Sequence, residues 1–143
     1  MKYFTIDELT HSDTAIALGI DNTPNQEIKE HLVQLVEELL DPLRIAWGSG
    51  IKVTSAYRCS RLNRALKGSS PTSAHLAGFA ADLVPVNGSI TEFKKFVVKW
   101  LKENNIAFDQ AILETNGKGV QWVHLGLYNL AMKQRRQILN LNV

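Results

Sequence analysis

The chain has 143 residues, of which 45% are hydrophobic and 21% are charged. This length and composition are typical of one globular domain with its own core, so we expect residues 1–143 to form a single unit. The formal net charge of +2 does not indicate nucleic acid as a partner. Because Cys59 is the single cysteine, an internal disulfide is excluded.

The N-terminal residues bear on where the protein is made. Met1 to Glu8 contain no apolar segment of the kind that a secretory signal peptide needs. No apolar run is long enough to span a bilayer. The sequence therefore predicts synthesis in the cytoplasm without membrane insertion, so that a role outside the cell requires a separate exit route. We also expect a monomer.

Helix signals dominate the first third of the chain. Thr5 and Glu8 have the spacing of a capping box, which predicts a short helix. Thr23 is suited to be an N-cap, with Pro24 at the first helical position. The helix that follows is predicted from apolar residues at helical spacing, namely Ile28, Leu32, Leu35, Val36, Leu39 and Leu40. Asp41-Pro42 either starts a new helical turn or kinks this helix.

The rest of the chain alternates strand and helix signals. The predicted elements, in chain order, are a strand from Ile51 to Ser55, a helix from Ser60 to Leu66, a strand from Ala80 to Val84, a helix opened by Ser89 and ended by Asn104, strands from Phe108 to Glu114 and from Val120 to Leu125, and a helix from Leu130 to Leu139. The turn at residues 116–119 predicts that the last two strands form a β-hairpin. The order predicts an α+β domain with a small, largely antiparallel sheet and packed helices.

Two histidines and an aspartate stand out as a candidate metal site. Six residues separate His75 from Asp82, and His124 lies in a strand-like segment. Two imidazoles and one carboxylate form a three-ligand set of the kind found in catalytic zinc sites, which leave a fourth position for water. Asp82 lies in an apolar run, where a carboxylate needs a cation or another partner. An arginine such as Arg58 is the alternative partner, and each histidine alone is also compatible with an ordinary structural role.

The sequence around these residues resembles a known family. Ser73-x-His75-x-x-Gly78-x-Ala80-x-Asp82, followed by Trp122-Val123-His124, is similar to the zinc D-Ala-D-Ala carboxypeptidase and L-alanyl-D-glutamate endopeptidase family. That family has the Hedgehog/DD-peptidase fold. Ser55-Ala56-Tyr57-Arg58 resembles its arginine-bearing strand end. Two further segments resemble its small phage-type and prophage-type members, namely Asp21-Asn22-x-Pro24 and Asp41-Pro42-Leu43-Arg44.

The resemblance has specific implications for the site. It implies that one zinc ion is bound by three residues, namely His75, Asp82 and His124. It also implies that Arg58 and Ser73 contact the substrate, which would be a peptidoglycan stem peptide. An arginine beside zinc binds a terminal carboxylate or stabilises a developing oxyanion. Gln121 and Trp122 are further candidates for substrate contact, the first by orienting water and the second as a wall of the cleft.

The general base is where the sequence departs from this family. Well-studied members carry Glu or Asp three residues before the last zinc histidine, whereas this chain has Gln121, which cannot take a proton. Glu114 is the nearest alternative. If Glu114 pairs opposite Trp122, it shares a face with His124 and lies about 7–8 Å from it along the diagonal. A shift by one residue puts it on the other face. A purely structural Glu114, or a site with no strong base, are the open alternatives.

Three hypotheses for function follow. The first is a zinc peptidase, either a carboxypeptidase or an endopeptidase, that cleaves peptidoglycan stem or cross-link peptides with Glu114 and Arg58 as catalytic residues. The second is a non-catalytic zinc-containing module that binds cell-wall peptides. Gln121 supports this hypothesis, because it cannot act as a general base. The third is a metal-free structural domain in which Asp82 pairs with Arg58. The lack of a signal peptide fits a phage-type lysis enzyme released by a separate pore, or a prophage remnant.

Other polar residues receive structural interpretations. We expect Asp109 to have a structural role or to orient a zinc histidine. Cys59 is interpreted as a buried small residue and not as a zinc ligand. His11 and His31 are interpreted as structural or exposed.

Overall fold

A five-stranded sheet and six α-helices form the architecture, seen in a computed structural model that describes residues 1–143. The helices are α1 (Ile6–Thr10), α2 (Asp13–Leu18), α3 (Gln26–Leu35), α4 (Asp41–Trp47), α5 (Ser60–Ala65) and α6 (Ile90–Glu103). The strands are β1 (Ile51–Ser55), β2 (Ala80–Pro85), β3 (Gln110–Thr115), β4 (Gln121–Gly126) and β5 (Gln137–Asn142). A π-helical segment (Val36–Leu40) joins α3 to α4, and a 3₁₀ turn (Ala74–Ala77) precedes β2.

The sheet is mostly antiparallel, with strand order β1-β2-β4-β3-β5. Every neighbouring pair is antiparallel except β3 and β5, which run parallel. The predicted hairpin is present as β3 and β4, with Glu114 opposite Trp122. The α+β class with a small, largely antiparallel sheet is therefore confirmed.

The two faces of the sheet have different surroundings. One face is buried against the helices and contributes to the apolar core through Ala81, Leu83, Ala111, Val123 and Leu125. Because side chains alternate along a strand, the residues between them point to the opposite face. That opposite face carries polar side chains and forms the floor of an open cleft. Apolar residues of β2 and β4 thus face the core, and Asp82 and His124 between them face the cleft.

The apolar helix predicted from Ile28 to Leu40 is present, with a change of geometry near its end. The chain continues from α3 through the π-helical segment into α4, and Asp41 and Pro42 begin the new helix. Proline lacks an N–H donor and clashes with the preceding turn, so a π-helical turn before Pro42 is a physically reasonable adjustment. Asp41 also accepts hydrogen bonds from the backbone N–H groups of Lys2 (2.7 Å) and Tyr3 (3.1 Å), which fixes the N-terminal segment on α4.

Two predicted helix starts are displaced. Asn25, not Thr23, caps α3, because its side chain accepts from the N–H of Ile28 at 2.9 Å. The Thr23 N–H instead bonds the Asp21 carboxylate in a turn. In α5 the cap is the sulfur of Cys59, one residue before the predicted Ser60. The short helix that was predicted to begin at Thr5 is confirmed, with Thr5 as its N-cap.

The helix predicted from Leu130 to Leu139 is wrong. Residues 130–136 form turns and loop, and β5 begins at Gln137. Arg135 anchors this loop, because its backbone N–H and its guanidinium all donate to the buried Asp109 carboxylate at 2.8–3.1 Å. Two residues adopt positive φ, Met132 (58°) and Arg136 (54°), which is incompatible with a continuous α-helix. None of the six α-helices is both long enough and apolar enough to cross a membrane.

Candidate metal centre and its cleft

A cleft of about 740 Å³ lies over the polar face of the sheet. Its floor is formed by residues of β2, β3 and β4, and one wall is formed by the loop at residues 66–73. His75, Asp82 and His124 lie together in this cleft and are all buried. The structure therefore brings together the three residues that the sequence suggested as metal ligands.

Three ligand atoms of these residues form a nearly equilateral triangle. The distances are 3.2 Å from His75 Nε2 to Asp82 Oδ1, 3.2 Å from His124 Nδ1 to Asp82 Oδ1, and 3.2 Å from His124 Nδ1 to His75 Nε2. With Zn–N and Zn–O bonds of about 2.0–2.1 Å, two ligands of a tetrahedral zinc ion lie about 3.3–3.4 Å apart. The observed triangle matches that spacing closely.

Sheet register positions two of the three ligands. Asp82 on β2 lies directly opposite His124 on β4. Directly opposite residues of an antiparallel pair have side chains on the same face, so the carboxylate and the imidazole project together into the cleft. Their relative position is held by the hydrogen bonds of a central ladder, which makes it rigid.

His75 arrives from the 3₁₀ turn, and several contacts fix its orientation. Its Nδ1 lies 2.6 Å from the carbonyl oxygen of Ala56, and its backbone N–H bonds the Ser73 hydroxyl at 3.2 Å. A carbonyl oxygen only accepts hydrogen bonds, so Nδ1 of His75 carries the proton and Nε2 presents a lone pair. Gly78 ends the turn with φ of 77°, a conformation that glycine adopts without strain. The Ala77 carbonyl accepts from Nδ1 of His31 at 2.7 Å, which fixes the turn from behind.

The protonation chemistry of the triangle suits a metal ion. Burial lowers the pKa of His75, which favours the neutral imidazole. A lone pair on His75 Nε2 thus faces a carboxylate oxygen in a buried site. Two acceptors at 3.2 Å repel unless a cation lies between them, so the residues fit a divalent metal such as zinc.

Arg58 contacts the three candidate ligands through the second carboxylate oxygen of Asp82. Its Nη2 donates to Asp82 Oδ2 at 3.0 Å, whereas Oδ1 faces the two histidines. Its Nε donates to Ser55 Oγ at 3.0 Å, and its Nη1 lies 3.5 Å from Asn63 Oδ1. The ion pair between Arg58 and Asp82 is therefore present, and it leaves the metal-facing oxygen free. Arg58 also contributes to the lining of the cleft.

The register of the β3–β4 hairpin places Glu114 on the face of the sheet that carries the candidate metal ligands. Glu114 pairs opposite Trp122 and shares the cleft face with His124. Its Oε1 accepts a hydrogen bond from the indole Nε1 of Trp122 at 2.8 Å. Burial raises the pKa of Glu114, and the nearby Asp82 charge acts in the same direction, against the lowering effects of His124, Trp122 and Arg58. A glutamate that faces a cleft with a raised pKa is a stronger base than an ordinary glutamate, which suits it to accept a proton.

The remaining candidate residues also lie along the cleft. Ser73 lines it, and its hydroxyl is already the acceptor for the His75 backbone. Gln121 lines it next to Trp122 and donates from Nε2 to Thr115 Oγ1 at 3.1 Å. Each of these groups retains hydrogen-bonding capacity for a ligand, since a hydroxyl can also donate and an amide also has a carbonyl oxygen.

Two buried asparagines that the sequence did not indicate support the site. Asn22 donates to the carbonyls of Thr10 and Tyr57 and accepts from the N–H of Cys59, which fixes the backbone on either side of Arg58. Asn63 donates to the Ser70 carbonyl at 2.9 Å and so ties the cleft wall to α5. The only sequence signal for Asn22 was its place in the Asp21-Asn22-x-Pro24 segment, and nothing in the local sequence marked Asn63.

Several other residues have structural places. Asp109 has the structural role that was one of its two expected roles, because it pairs with Arg135. It makes no hydrogen bond to His75 or His124 and so orients neither of these candidate ligands. Cys59 caps α5 and is half-buried, so the expectation of a buried cysteine is wrong. It is not among the residues that could hold a metal, as expected. His11 is exposed beside Asp13, and His31 stacks on Phe79 with ring centroids 4.1 Å apart.

Three nitrogen and oxygen ligands at the floor of an open cleft define the kind of site that zinc hydrolases use. The protein-family model described as Peptidase M15 matches residues 2–125. The chain therefore belongs to the peptidase M15 family, whose members are zinc-dependent peptidases. A comparison with curated proteins found no match.

Proposed function

We propose that this protein is a zinc peptidase that hydrolyses peptide bonds in the stem or cross-link peptides of bacterial peptidoglycan. The observation that carries the proposal is the triangle of His75 Nε2, Asp82 Oδ1 and His124 Nδ1 with sides of 3.2 Å, set in a cleft open to a substrate. Family membership supports a zinc peptidase, and the resemblance of the sequence to enzymes that cleave cell-wall peptides supports the choice of substrate.

The three residues would hold zinc through two neutral imidazoles and one carboxylate. When bound, zinc supplies a Lewis acid that polarises a carbonyl group and lowers the pKa of a water molecule. The protein's own contribution is to hold the ligands rigidly. Asp82 and His124 are fixed by the sheet ladder, and His75 is fixed by the Ala56 carbonyl.

Glu114 is the residue that we propose as general base. It faces the cleft from the strand beside His124, and Trp122 holds one of its carboxylate oxygens. The second oxygen carries no hydrogen bond from the protein, so it can accept a proton from the attacking water and later transfer it to the leaving amine. Gln121, three residues before His124, would orient water or substrate by hydrogen bonding.

Arg58 and Ser73 are proposed to bind the substrate beside the metal. Arg58 Nη1 makes only one long contact, to Asn63 at 3.5 Å, and can donate to a carboxylate or to a developing oxyanion. The Ser73 hydroxyl can donate while it accepts from the His75 N–H. Arg58 has a second task in this proposal, because its bond to Asp82 Oδ2 orients the carboxylate toward the metal.

A zinc-containing module that binds cell-wall peptides without cleaving them is the second candidate. Gln121 favours it, because this residue stands where family members carry a base. The position of Glu114 favours the enzyme.

The test uses purified, zinc-loaded protein and purified peptidoglycan. The enzyme releases new amino termini, the release stops with a chelator, and Glu114→Gln lowers the rate by at least about 100-fold. The exposed Glu38→Gln is the matched control and retains the wild-type rate. Stoichiometric zinc with peptide binding but no cleavage would establish the module instead. A protein that retains no zinc would overturn both proposals and leave the metal-free domain.

A further inference from the structure

An apolar surface continues from Glu114 along the polar face of the sheet. Leu141 on β5 and Trp122 on β4 are the two partners of Glu114 on the neighbouring strands, so the three side chains form one row on the cleft face. Val120 lies two residues before Trp122 and Val143 lies two residues after Leu141, and both line the cleft. Leu66, in the loop at residues 66–73, lines it as well. We call these five apolar residues the apolar patch, namely Leu66, Val120, Trp122, Leu141 and Val143.

The patch is open to solvent although it is apolar. Val120 is 54% exposed and Leu141 is 43% exposed. Exposed apolar residues are ordinary when scattered, but a contiguous group inside a cleft marks a ligand-binding surface. Every member lines the same cleft as the metal ligands. The patch is therefore continuous with the candidate active site and not a separate surface.

The position of Leu141 in the sheet gives the distance between the apolar patch and the candidate active site. Leu141 is two strands away from β4, which corresponds to roughly 10 Å at the usual strand spacing, or about three residues of an extended peptide. Leu141 also lies outside residues 2–125, the part of the chain that the family model matches. This wall of the cleft is thus supplied by a segment beyond the matched region.

We propose that the apolar patch is a specificity subsite for an aliphatic side chain of the substrate, two or three residues from the scissile bond. This inference rests on the proposed function. Its occupant is an aliphatic chain of three or more carbons, such as the methylene chain of the diamino acid in stem peptides. Such a chain lies along apolar side chains while its polar end reaches water, as lysine does on protein surfaces. Methyl side chains bury too little area to use the patch.

The experiment compares synthetic peptides in which one position, two or three residues from the cleaved bond on either side, carries norleucine or alanine. At about 0.8 kcal/mol for each buried methylene, the norleucine peptide has a kcat/KM at least roughly tenfold higher at one of these positions. Leu141→Thr and Val120→Thr bring this ratio close to one while the alanine peptide is cleaved at the wild-type rate. Leu130→Thr is the matched control, because Leu130 is 46% exposed and lies outside the cleft, and it retains the ratio.

Binding provides a second measurement that does not depend on turnover. Zinc-loaded Glu114→Gln retains an acceptor for the Trp122 indole and is titrated calorimetrically with the same peptides. It shows the same preference for norleucine, and Leu141→Thr in that background removes it. Cleavage and binding without a norleucine preference, or with a preference that Leu141→Thr leaves unchanged, would overturn the subsite.

Two outcomes separate this inference from its alternatives. If no peptide is cleaved but Glu114→Gln still binds norleucine peptides through Leu141, the proposed enzyme fails and the subsite stands. If Leu141→Thr converts a dimer into a monomer in sedimentation and leaves the peptide preference unchanged, the patch is an interface between copies and the subsite is wrong.

Discussion

Asp82 and His124 face each other in register across β2 and β4, with Oδ1 and Nδ1 3.2 Å apart. Two central strands therefore set the distance between two candidate metal ligands. Strand positions are more rigid than loop positions, so this half of the site is formed by folding itself. His75 is the third candidate ligand. Its side chain donates to the Ala56 carbonyl, its backbone N–H donates to the Ser73 hydroxyl, and His31 donates to the Ala77 carbonyl of the same turn.

The first prediction concerns metal and stability. Because the three ligands converge only in the folded chain, zinc binds the native state and stabilises it by about 2.7 kcal/mol at 100 times its Kd. We expect zinc to raise the Tm by several degrees and a chelator to reverse the change. Differential scanning calorimetry of the same protein with and without zinc measures this.

The matched variants for that prediction are Asp82→Asn and Asp7→Asn. Asp82→Asn removes the ligand charge, so zinc should no longer change its Tm. Asp7 is an exposed residue of α1, and its variant should respond to zinc like the wild type. Equal responses of the two variants to zinc would show that Asp82 is not a ligand.

The second prediction tests how Arg58 acts. Its Nη2 bonds the Asp82 oxygen that faces away from the histidines, so it orients the carboxylate. Loss of such a partner costs about 10–100-fold in metal affinity. We expect Arg58→Lys, which cannot reproduce the forked geometry, to weaken zinc binding to this extent in a competition titration with a chromophoric chelator.

The exposed Arg61→Lys on α5 is the control for Arg58→Lys and should bind zinc like the wild type. If Arg58→Lys also kept the wild-type affinity and only raised KM, Arg58 would be a substrate contact and not a partner of Asp82. The zinc titration and the KM measurement thus separate its two proposed tasks.

Much of the site could be predicted because its signals are local. Burying Asp82 in the apolar run of β2 and His124 in β4 is unfavourable in free energy unless these groups have a partner such as a metal ion. Both residues could be identified from the sequence. The side of the sheet on which Glu114 lies depends on the register of the hairpin. The sequence alone does not give that register. The structure gives it, since Glu114 pairs with Trp122.

The C-terminal segment could not be predicted for a physical reason. Residues 130–139 combine good helix formers with helical spacing, and their local preference is helical. Pairing with β3 and the bonds from Arg135 to the buried Asp109 outweigh that preference. These partners lie more than 20 residues away, so no local pattern reveals them. The support that Asn22 gives the site was missed for the same reason, because it bonds Tyr57 and Cys59.

The third prediction concerns pH. A general base must be ionised, so activity falls as pH decreases through the pKa of Glu114. Burial raises that pKa, so the acidic limb of kcat is displaced to higher pH than an unperturbed glutamate would give. The Trp122 hydrogen bond lowers the same pKa, and its removal must raise it further. We expect Trp122→Phe to move the acidic limb to higher pH while most of the rate at high pH is kept.

The measurement for Trp122→Phe is a kcat–pH profile at saturating substrate. The control is Trp47→Phe, since the buried Trp47 indole N–H has no hydrogen-bond partner and lies away from the cleft. Its profile should overlay that of the wild type. An acidic limb that stays in place in Trp122→Phe would show that Glu114 does not set it.

The last prediction links backbone geometry to metal affinity. Gly78 ends the turn that carries His75 with φ of 77°, and a Cβ there would lie 3.1 Å from Ile28 Cγ2 and 3.2 Å from the Ile28 carbonyl oxygen. Gly78→Ala therefore costs roughly 1–2 kcal/mol in backbone strain and shifts the turn away from α3. We expect a Tm lower by several degrees and weaker zinc binding, because His75 moves with the turn. Gly117→Ala is the control, because its Cβ meets nothing within 4 Å, and it should match the wild type in both measurements. A Gly78→Ala protein that loses stability but binds zinc with unchanged affinity would show that His75 is not held by this turn.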